Sequence, residues 1–407
     1  MGPLTSFSFL PPEIITKICR DSTLKKEDLI SLRLTSKSHG IHLSASKEFA
    51  KRYLTEINLV FTRYSLQAFL EICKHHVYGP AVRKIQLSYA RFKPNCFEEE
   101  STGLFDRIET HEQSRSDIRN EYLERIRLLV KRCDEEEDLK TSCDAEGLLA
   151  AAFAALSKWR HPLKISVSST EDGALGRSQI YSLSDLIDEV SGVDSHWECD
   201  ILGTVKLLYH AAIRGTCAVQ ALQIGGDVCG KLIDSSSESL SSLAQLSDLE
   251  LDIRPSKVTS LDGMVTELLE HAVHLKTLRL ADHDDWEEDP QYLPKTFSIV
   301  SRMKLEKMTL TWMDLDRFNP FENQNEYLRH LELINCATET RLKDVLLSIR
   351  KKLPQLEYLR FSGVRQMQDA EFQGVEGVKD GIDELMQSRL KHHNNPGMAV
   401  PWDSDEE

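Results

Sequence analysis

Four kinds of stretch in this 407-residue chain hold residue types that can do chemistry. Cys73-Lys74-His75-His76 offers three potential metal ligands. Four consecutive residues cannot close a tetrahedral site, and no second Cys/His pair follows at a zinc-finger spacing. A helix ending before the Gly79-Pro80 turn accounts for them. Gly225-Gly226-Asp227-Val228-Cys229-Gly230 is glycine-dense but fits neither the dinucleotide nor the P-loop fingerprint, so a strand-to-helix turn is expected. Neither G-x-S-x-G nor H-E-x-x-H occurs. Carboxylates cluster in acidic runs, where they stay ionised and solvated. Asp282-His283-Asp284-Asp285-Trp286-Glu287-Glu288-Asp289-Pro290 differs, because a tryptophan amid acids suits docking of a basic peptide. A loop whose Trp286 packs back on its own repeat is the alternative. With no catalytic constellation, the chain reads as a binding protein without cofactor or metal; a hydrolase or transferase hidden in the body would need a pocket of converging polar groups.

The elements that must position these residues recur. Leu54-Thr55-Glu56-Ile57-Asn58-Leu59 and Val82-Arg83-Lys84-Ile85-Gln86-Leu87 share an apolar-x-x-apolar-x-apolar pattern, 28 residues apart. The pattern returns at Val219, Leu246, Leu275, Leu305, Leu328 and Leu356, with spacings of 27, 29, 30, 23 and 28. Between the hits lie helical patterns. Leu66, Phe69, Leu70 and Cys73 form one, Leu261, Val265, Leu268, Leu269 and Ala272 another, and Leu342, Val345, Leu346, Ile349 and Leu353 a third, closed by Arg350-Lys351-Lys352 and Pro354. In strands, alternate side chains point oppositely. The leucines therefore face a core, and Asp248, Glu250, Asp252, Thr277, Arg279, Lys307, Thr309, His330, Glu332, Tyr358 and Arg360 face out.

Composition sets the class. At 41% apolar and 28% charged residues this is an ordinary water-soluble composition. No run is long and apolar enough to span a membrane, and Met-Gly-Pro-Leu-Thr-Ser lacks the charge and apolar core of a secretory signal. Nine cysteines, without a C-x-x-C pair, suit reduced thiols and a cytoplasmic and/or nuclear location. The net charge of −15 is uneven. Residues 1–95 carry 15 Lys+Arg against 7 Asp+Glu, a balance of +8, and the remainder is −23. The two ends are expected to meet different partners. Nucleic acid is not among them, because the basic end has no dense Lys/Arg cluster and the acidic body repels phosphate.

The N-terminus carries the most specific signal. Leu10-Pro11-Pro12-Glu13-Ile14-Ile15-Thr16-Lys17-Ile18 puts proline in a first turn, a carboxylate at the positive helix pole, and one apolar face behind them. Asp28-Leu29-Ile30-Ser31-Leu32-Arg33-Leu34-Thr35-Ser36-Lys37 supplies a second apolar set. Two or three short helices of this size need a partner to bury their faces. The paired blocks, over residues 8–50, resemble the F-box, a helical module that docks on the Skp1-like adaptor of a cullin–RING ubiquitin ligase. Ser22 stands where that family ends its first helix in leucine, with Leu24 expected in that place after a short insertion, and His39 stands where an aromatic is usual. The adaptor of that family is acidic, which matches the basic N-terminal end.

The strand–helix spacing resembles the leucine-rich repeat, whose period is about 20–29. Leu328-Arg329-His330-Leu331-Glu332-Leu333-Ile334-Asn335-Cys336 is the best match, with Cys336 at the Asn/Cys position. The expected fold is therefore an α+β or α/β solenoid: a short N-terminal helical F-box followed by irregular leucine-rich-repeat-like strand–helix units. The rivals are a helical cap unrelated to that family and an α/β domain with irregular units. The expected segments are the F-box-like module at 8–50, first units at 51–96, a charged helical insertion at 97–147 closed by Asp134-Glu135-Glu136-Glu137-Asp138, a body at 148–380 opening on a buried alanine-rich helix, and an acidic disordered tail at 381–407. The resemblance implies that Leu10, Pro11, Ile14, Ile18, Leu29 and Leu32 bind the adaptor, and through it a cullin. A protein substrate would meet Asp248, Glu250, Arg279, Trp286, Lys307, Trp312, His330, Glu332, Tyr358 and Arg360. The function implied is substrate recognition within such a ligase; the alternative is a repeat scaffold that never joins one.

Overall fold

The computed structural model describes residues 11–35, 39–88, 90–92, 131, 134–168, 175, 197–199, 201–228, 245–255, 261–282, 294–313, 315, 321, 325–336, 342–364 and 369–393. The fold is mixed α/β with mostly parallel strands, in two units that divide between Gln245 and Leu246. The expected body at 148–380 is thus shared between them.

The first unit opens with three helices, α1 (Pro12–Cys19), α2 (Lys26–Thr35) and α3 (His39–Tyr53). In α1 the first turn holds Pro12 and Glu13, and the Ile14 and Ile15 amides both donate to the Pro11 carbonyl. Asp28 caps α2 by accepting from the Lys25 amide at 2.8 Å. Ile15, Cys19, Leu29, Ile41 and Ala45 close a small core, with Leu24, Leu32, Phe49 and Tyr53 packed around it. Leu24 therefore does reach this core. Arg52 ties the three helices together. Its guanidinium pairs with Glu48 at 2.8 Å and donates to the carbonyls of Leu24, Asp21 and Cys19 at 3.0, 3.0 and 3.3 Å. A cation is well placed there, at the negative end of α1.

The rest of this unit carries β1 (Glu56–Leu59), β2 (Lys84–Ser88), β3 (Ala90–Phe92), β4 (Leu163–Ser168), β5 (Trp197–Cys199) and β6 (Val219–Val228). β1, β2, β4 and β6 pair in that order, all parallel, while β3 and β5 form an antiparallel pair. Parallel register aligns Ile57, Ile85, Ile165 and Leu222 in one apolar ladder and Leu59, Leu87, Val167 and Ile224 in a second, every member buried. Helices α4 (Arg63–Lys74), α5 (Asp144–Ser157) and α6 (Ile201–Arg214) pack side by side, α4 against α5 and α5 against α6. Thr62 caps α4 by accepting from the Ser65 amide.

Several expectations change here. β4 is a strand that the repeat pattern misses, because Pro162 stands where its register puts the leading apolar residue. Gly225 and Gly226 lie inside β6, not in a strand-to-helix turn. Helix α5 starts at Asp144, three residues before the expected end of the insertion, and most of 97–147 lies outside the described residues. Within the acidic run Glu136 is buried, and Leu139 just after it is fully so, so this helix is not solvated all round.

The second unit stacks β7 (Asp248–Pro255), β8 (Thr277–Asp282), β9 (Lys307–Thr311), β10 (His330–Ile334) and β11 (Tyr358–Ser362) in parallel, and β12 (Ala370–Gln373) closes antiparallel on β11. Leu249, Leu278, Met308, Leu331 and Leu359 align in one ladder, and Leu251, Leu280, Leu310, Leu333 and Phe361 in the next. All are buried. Helices α7 (Leu261–His271) and α8 (Pro294–Val300) pack together, as do α9 (Leu342–Lys352) and α10 (Val375–His393). Residues 381–393, expected in a disordered tail, therefore belong to a helix, anchored by Val378 and Ile382 one turn apart. Residues 394–407 lie outside the described residues.

Both units start their strands by one backbone device. Consecutive amides Arg83 and Lys84 donate to the Thr55 carbonyl; Lys276 and Thr277 donate to Ser247, Glu306 and Lys307 to Lys276, Arg329 and His330 to Glu306, and Glu357 and Tyr358 to Arg329. Three strands of the second unit also end alike. Trp312, Asn335 and Gly363 each follow the last strand residue with φ of 61°, 53° and 62°, and Met313, Cys336 and Val364 then turn into the core. This is the regularity that the 23–30-residue spacing announces.

Candidate functional site

Two surfaces hold the residues singled out above. On the N-terminal helices, Leu10 lies outside the described residues. Pro11 is exposed, Ile14 is 43% exposed, and Ile18 is half-buried. Leu29 corrects the expectation: it is 0% exposed, at the centre of the core that the three helices build for themselves. It follows Asp28 directly, and its amide donates to the Lys25 carbonyl at 3.2 Å. Leu32 is half-buried against the same core. Leu34, left out of the expected docking set, is 77% exposed and the most exposed large apolar side chain among the described residues. Leu34 stands five residues after Leu29, about 140° round the helix, so it lies on the face of α2 turned away from this core. Pro11, Pro12, Ile14 and Leu34 are thus apolar groups left in water by a module that has already satisfied its interior.

The second surface is the sheet face of the second unit opposite the leucine ladders. Register brings the expected residues together in two rows: Asp248, Thr277, Lys307, His330 and Tyr358, then Glu250, Arg279, Thr309, Glu332 and Arg360. β12, which the repeat pattern does not reach, extends the rows with Gln373 beside Tyr358 and Glu371 beside Arg360. Glu332 is the hub. It accepts from His330 Nε2 at 2.8 Å and from Thr309 Oγ1 at 3.3 Å, and pairs with Lys307 Nζ at 3.5 Å. Burial raises the pKa of Glu332, but the His330 bond, the Lys307 and His330 charges and Thr309 outweigh this, leaving it below the usual carboxylate range. His330 stacks on Tyr358 with ring centres 4.0 Å apart and planes 7° apart. Burial and the nearby Glu371 and Glu332 carboxylates push the Tyr358 phenol up. Glu250 pairs with Arg279 at 3.1 Å, and Asp248 accepts from Ser247 Oγ.

Trp286 lies outside the described residues. Trp312 is half-buried, and its left-handed backbone is unusual for a bulky residue. Asn335 and Gly363 end the next two strands in the same conformation, so it belongs to the strand-ending turn. The groove of about 280 Å³ between 301–303 and 325–327 holds none of the expected residues.

Burial pushes the Cys19 and Cys73 thiols up, Cys217 to about 11 and Cys336 to about 12, so these four stay protonated at neutral pH and are poor nucleophiles. Among the described residues no three His, Cys, Asp or Glu side chains gather to hold a metal, and no helix is long and apolar enough to cross a membrane. Cys73 is buried in α4, and His75 is the residue that ends that helix.

No protein-family model matches this chain, and no curated protein does.

Proposed function

We propose that the chain is the substrate-recruiting subunit of an SCF-type cullin–RING ubiquitin ligase: an F-box-like helical module followed by a degenerate leucine-rich-repeat solenoid. The observation that carries this reading is the pair of properties on α1–α3. The module completes its own core yet leaves Pro11, Pro12, Ile14 and Leu34 exposed. Fully burying a side chain like Leu34 or Ile14 is worth about 1.5–3 kcal/mol, so a Skp1-like partner covering both gains a binding anchor. The positive balance of residues 1–95 would speed capture of an acidic adaptor. The polar rows around Glu332 then receive a protein substrate, with Trp286 and Trp312 as side anchors. The chain performs no chemistry in this role. It raises the effective concentration of a substrate lysine beside the ubiquitin-charged enzyme.

Ile14→Asp combined with Leu34→Asp tests the reading in a pull-down of the full chain. Both positions are exposed, so the urea midpoint should move by no more than about 0.5 kcal/mol equivalent. Capture of a Skp1-like adaptor and a cullin should be lost. Unchanged capture refutes the docking face, and capture of the adaptor without any cullin favours a scaffold outside the ligase.

A further inference from the structure

The residues dismissed above as a metal site do something else. His75 closes α4, and its Nδ1 accepts from the Val77 amide at 3.2 Å and the Tyr78 amide at 3.4 Å. A nitrogen that accepts cannot carry a proton, so the neutral imidazole keeps its hydrogen on Nε2. The same ring stacks on Tyr78, centres 4.0 Å apart at 17°. Tyr78 in turn meets the N-terminal helices. The Arg33 guanidinium of α2 lies 5.2 Å from its ring centre, and Phe49 of α3 lies 6.5 Å away, with Arg33 also 5.0 Å from Phe49. The Arg33 Nε is buried without a hydrogen-bond partner, so contact with the aromatic faces is what holds this cation. The turn itself has little slack, because a Cβ on Gly79 would run into the Cys73 carbonyl and crowd Trp159 Nε1.

We propose that His75 is an acid-sensitive latch between the N-terminal helices and the first strand–helix unit. Neutral, it pins the 75–78 turn and holds Tyr78 against Arg33 and Phe49. Protonated at Nδ1, it turns from acceptor to donor, faces two amide donors, and releases Tyr78. The groups that act on its charge come from three elements: His76 on its own turn, Arg33 on α2 and His42 on α3. Each is cationic when charged, so a second positive charge on His75 is opposed from every side. Burial first, then these neighbours, hold its pKa below the ordinary value. The sign follows. A base whose folded pKa is depressed costs nothing while neutral and destabilises the fold once it must be protonated. The junction therefore loses stability as pH falls from about 6.5 through the lower folded value. The latch is independent of what covers Ile14 and Leu34.

Hydrogen exchange of the full chain at constant ionic strength, between pH 7.5 and pH 5.0 and corrected for intrinsic rates, reads it directly. Peptides covering 75–82 and α2 should exchange roughly tenfold faster at the acid end, about what one net hydrogen bond is worth. His75→Asn offers a non-titrating oxygen where Nδ1 sits, and should keep neutral-pH protection while abolishing the acid response. His76→Asn removes one opposing charge and should move the transition to higher pH. As a readout on the unmodified chain, the His75 ring should titrate by NMR over the pH range in which protection falls. Equal protection at both pH values, a full acid response in His75→Asn, or a His75 ring that titrates without any change in protection would each overturn the latch.

Discussion

The two units use the same backbone device and nearly the same leucine ladders, yet the faces behind those ladders differ. In the first unit the aligned positions are Asn58, Gln86, Ser166 and Gln223, with Ser88 at the end. They are uncharged, and Gln86, Ser88 and Ser166 are buried. In the second, the corresponding row runs Glu250, Arg279, Thr309, Glu332, Arg360 and Glu371, exposed or half-exposed apart from the buried Thr309. Buried amides and hydroxyls can be satisfied within the row, as Ser166 Oγ donating to Gln223 Oε1 at 3.3 Å does. Charges need water or a counter-charge, because burying them alone is far costlier. The apolar ladder therefore dictates the strand, while the central row behind it is largely buried in one unit and charged in the other; at the strand entries the first unit is charged too, with Glu56, Lys84 and Lys164 aligned and Lys84 paired with Glu56 at 2.7 Å.

The comparison breaks most visibly where the units are alike. Ile85→Ala in the first and Leu331→Ala in the second should each destabilise their own unit by about 2–5 kcal/mol, read as a fall in urea midpoint or in local hydrogen-exchange protection. Equal penalties would confirm that the ladders do one job in both. Where the units differ, effects should shrink and acquire a pH dependence. Glu332→Gln should cost about 1 kcal/mol at pH 7 after solvent screening. Its folded pKa lies below the ordinary value of about 4.3, so this stabilisation is present above that value and lost as pH falls through the folded one; the wild-type and variant melting curves should converge there. The smallest effect belongs to the exposed pairs at the strand entries. Arg329→Ala removes a 2.9 Å pair with Glu357, but both side chains are more than half exposed, and the midpoint should shift by less than about 0.5 kcal/mol equivalent.

Legibility followed the length scale of each signal. The pattern opening at Leu328 is realised as β10, and the rows it implies from Asp248 to Arg360 come together as read, because side-chain alternation is a property of one extended strand. β4 escaped because an insertion and Pro162 break the spacing. β12 escaped because Ala370–Gln373 is short and belongs to no repeat. Arg52 gave no sign of its role, since its partners at Cys19, Asp21 and Leu24 lie 28 to 33 residues earlier. Leu29 and Leu34 stand five residues apart on α2, about 140° round the helix from one another, a difference that its period already carries. One is at the centre of the core and the other in water.

By itself the sequence determined the strands that carry the repeat pattern, several of the helices between them and the two polar rows, since these follow from periodicities that a few consecutive residues can encode. Only the tertiary structure decided which apolar groups α1–α3 consume and which they leave exposed, that Glu332 gathers Lys307, Thr309 and His330, and that His75 faces Tyr78 and the Arg33 of another helix. Those outcomes depend on pairs far apart in the chain, and how a surface is shared between distant elements is fixed by packing, which no local pattern records.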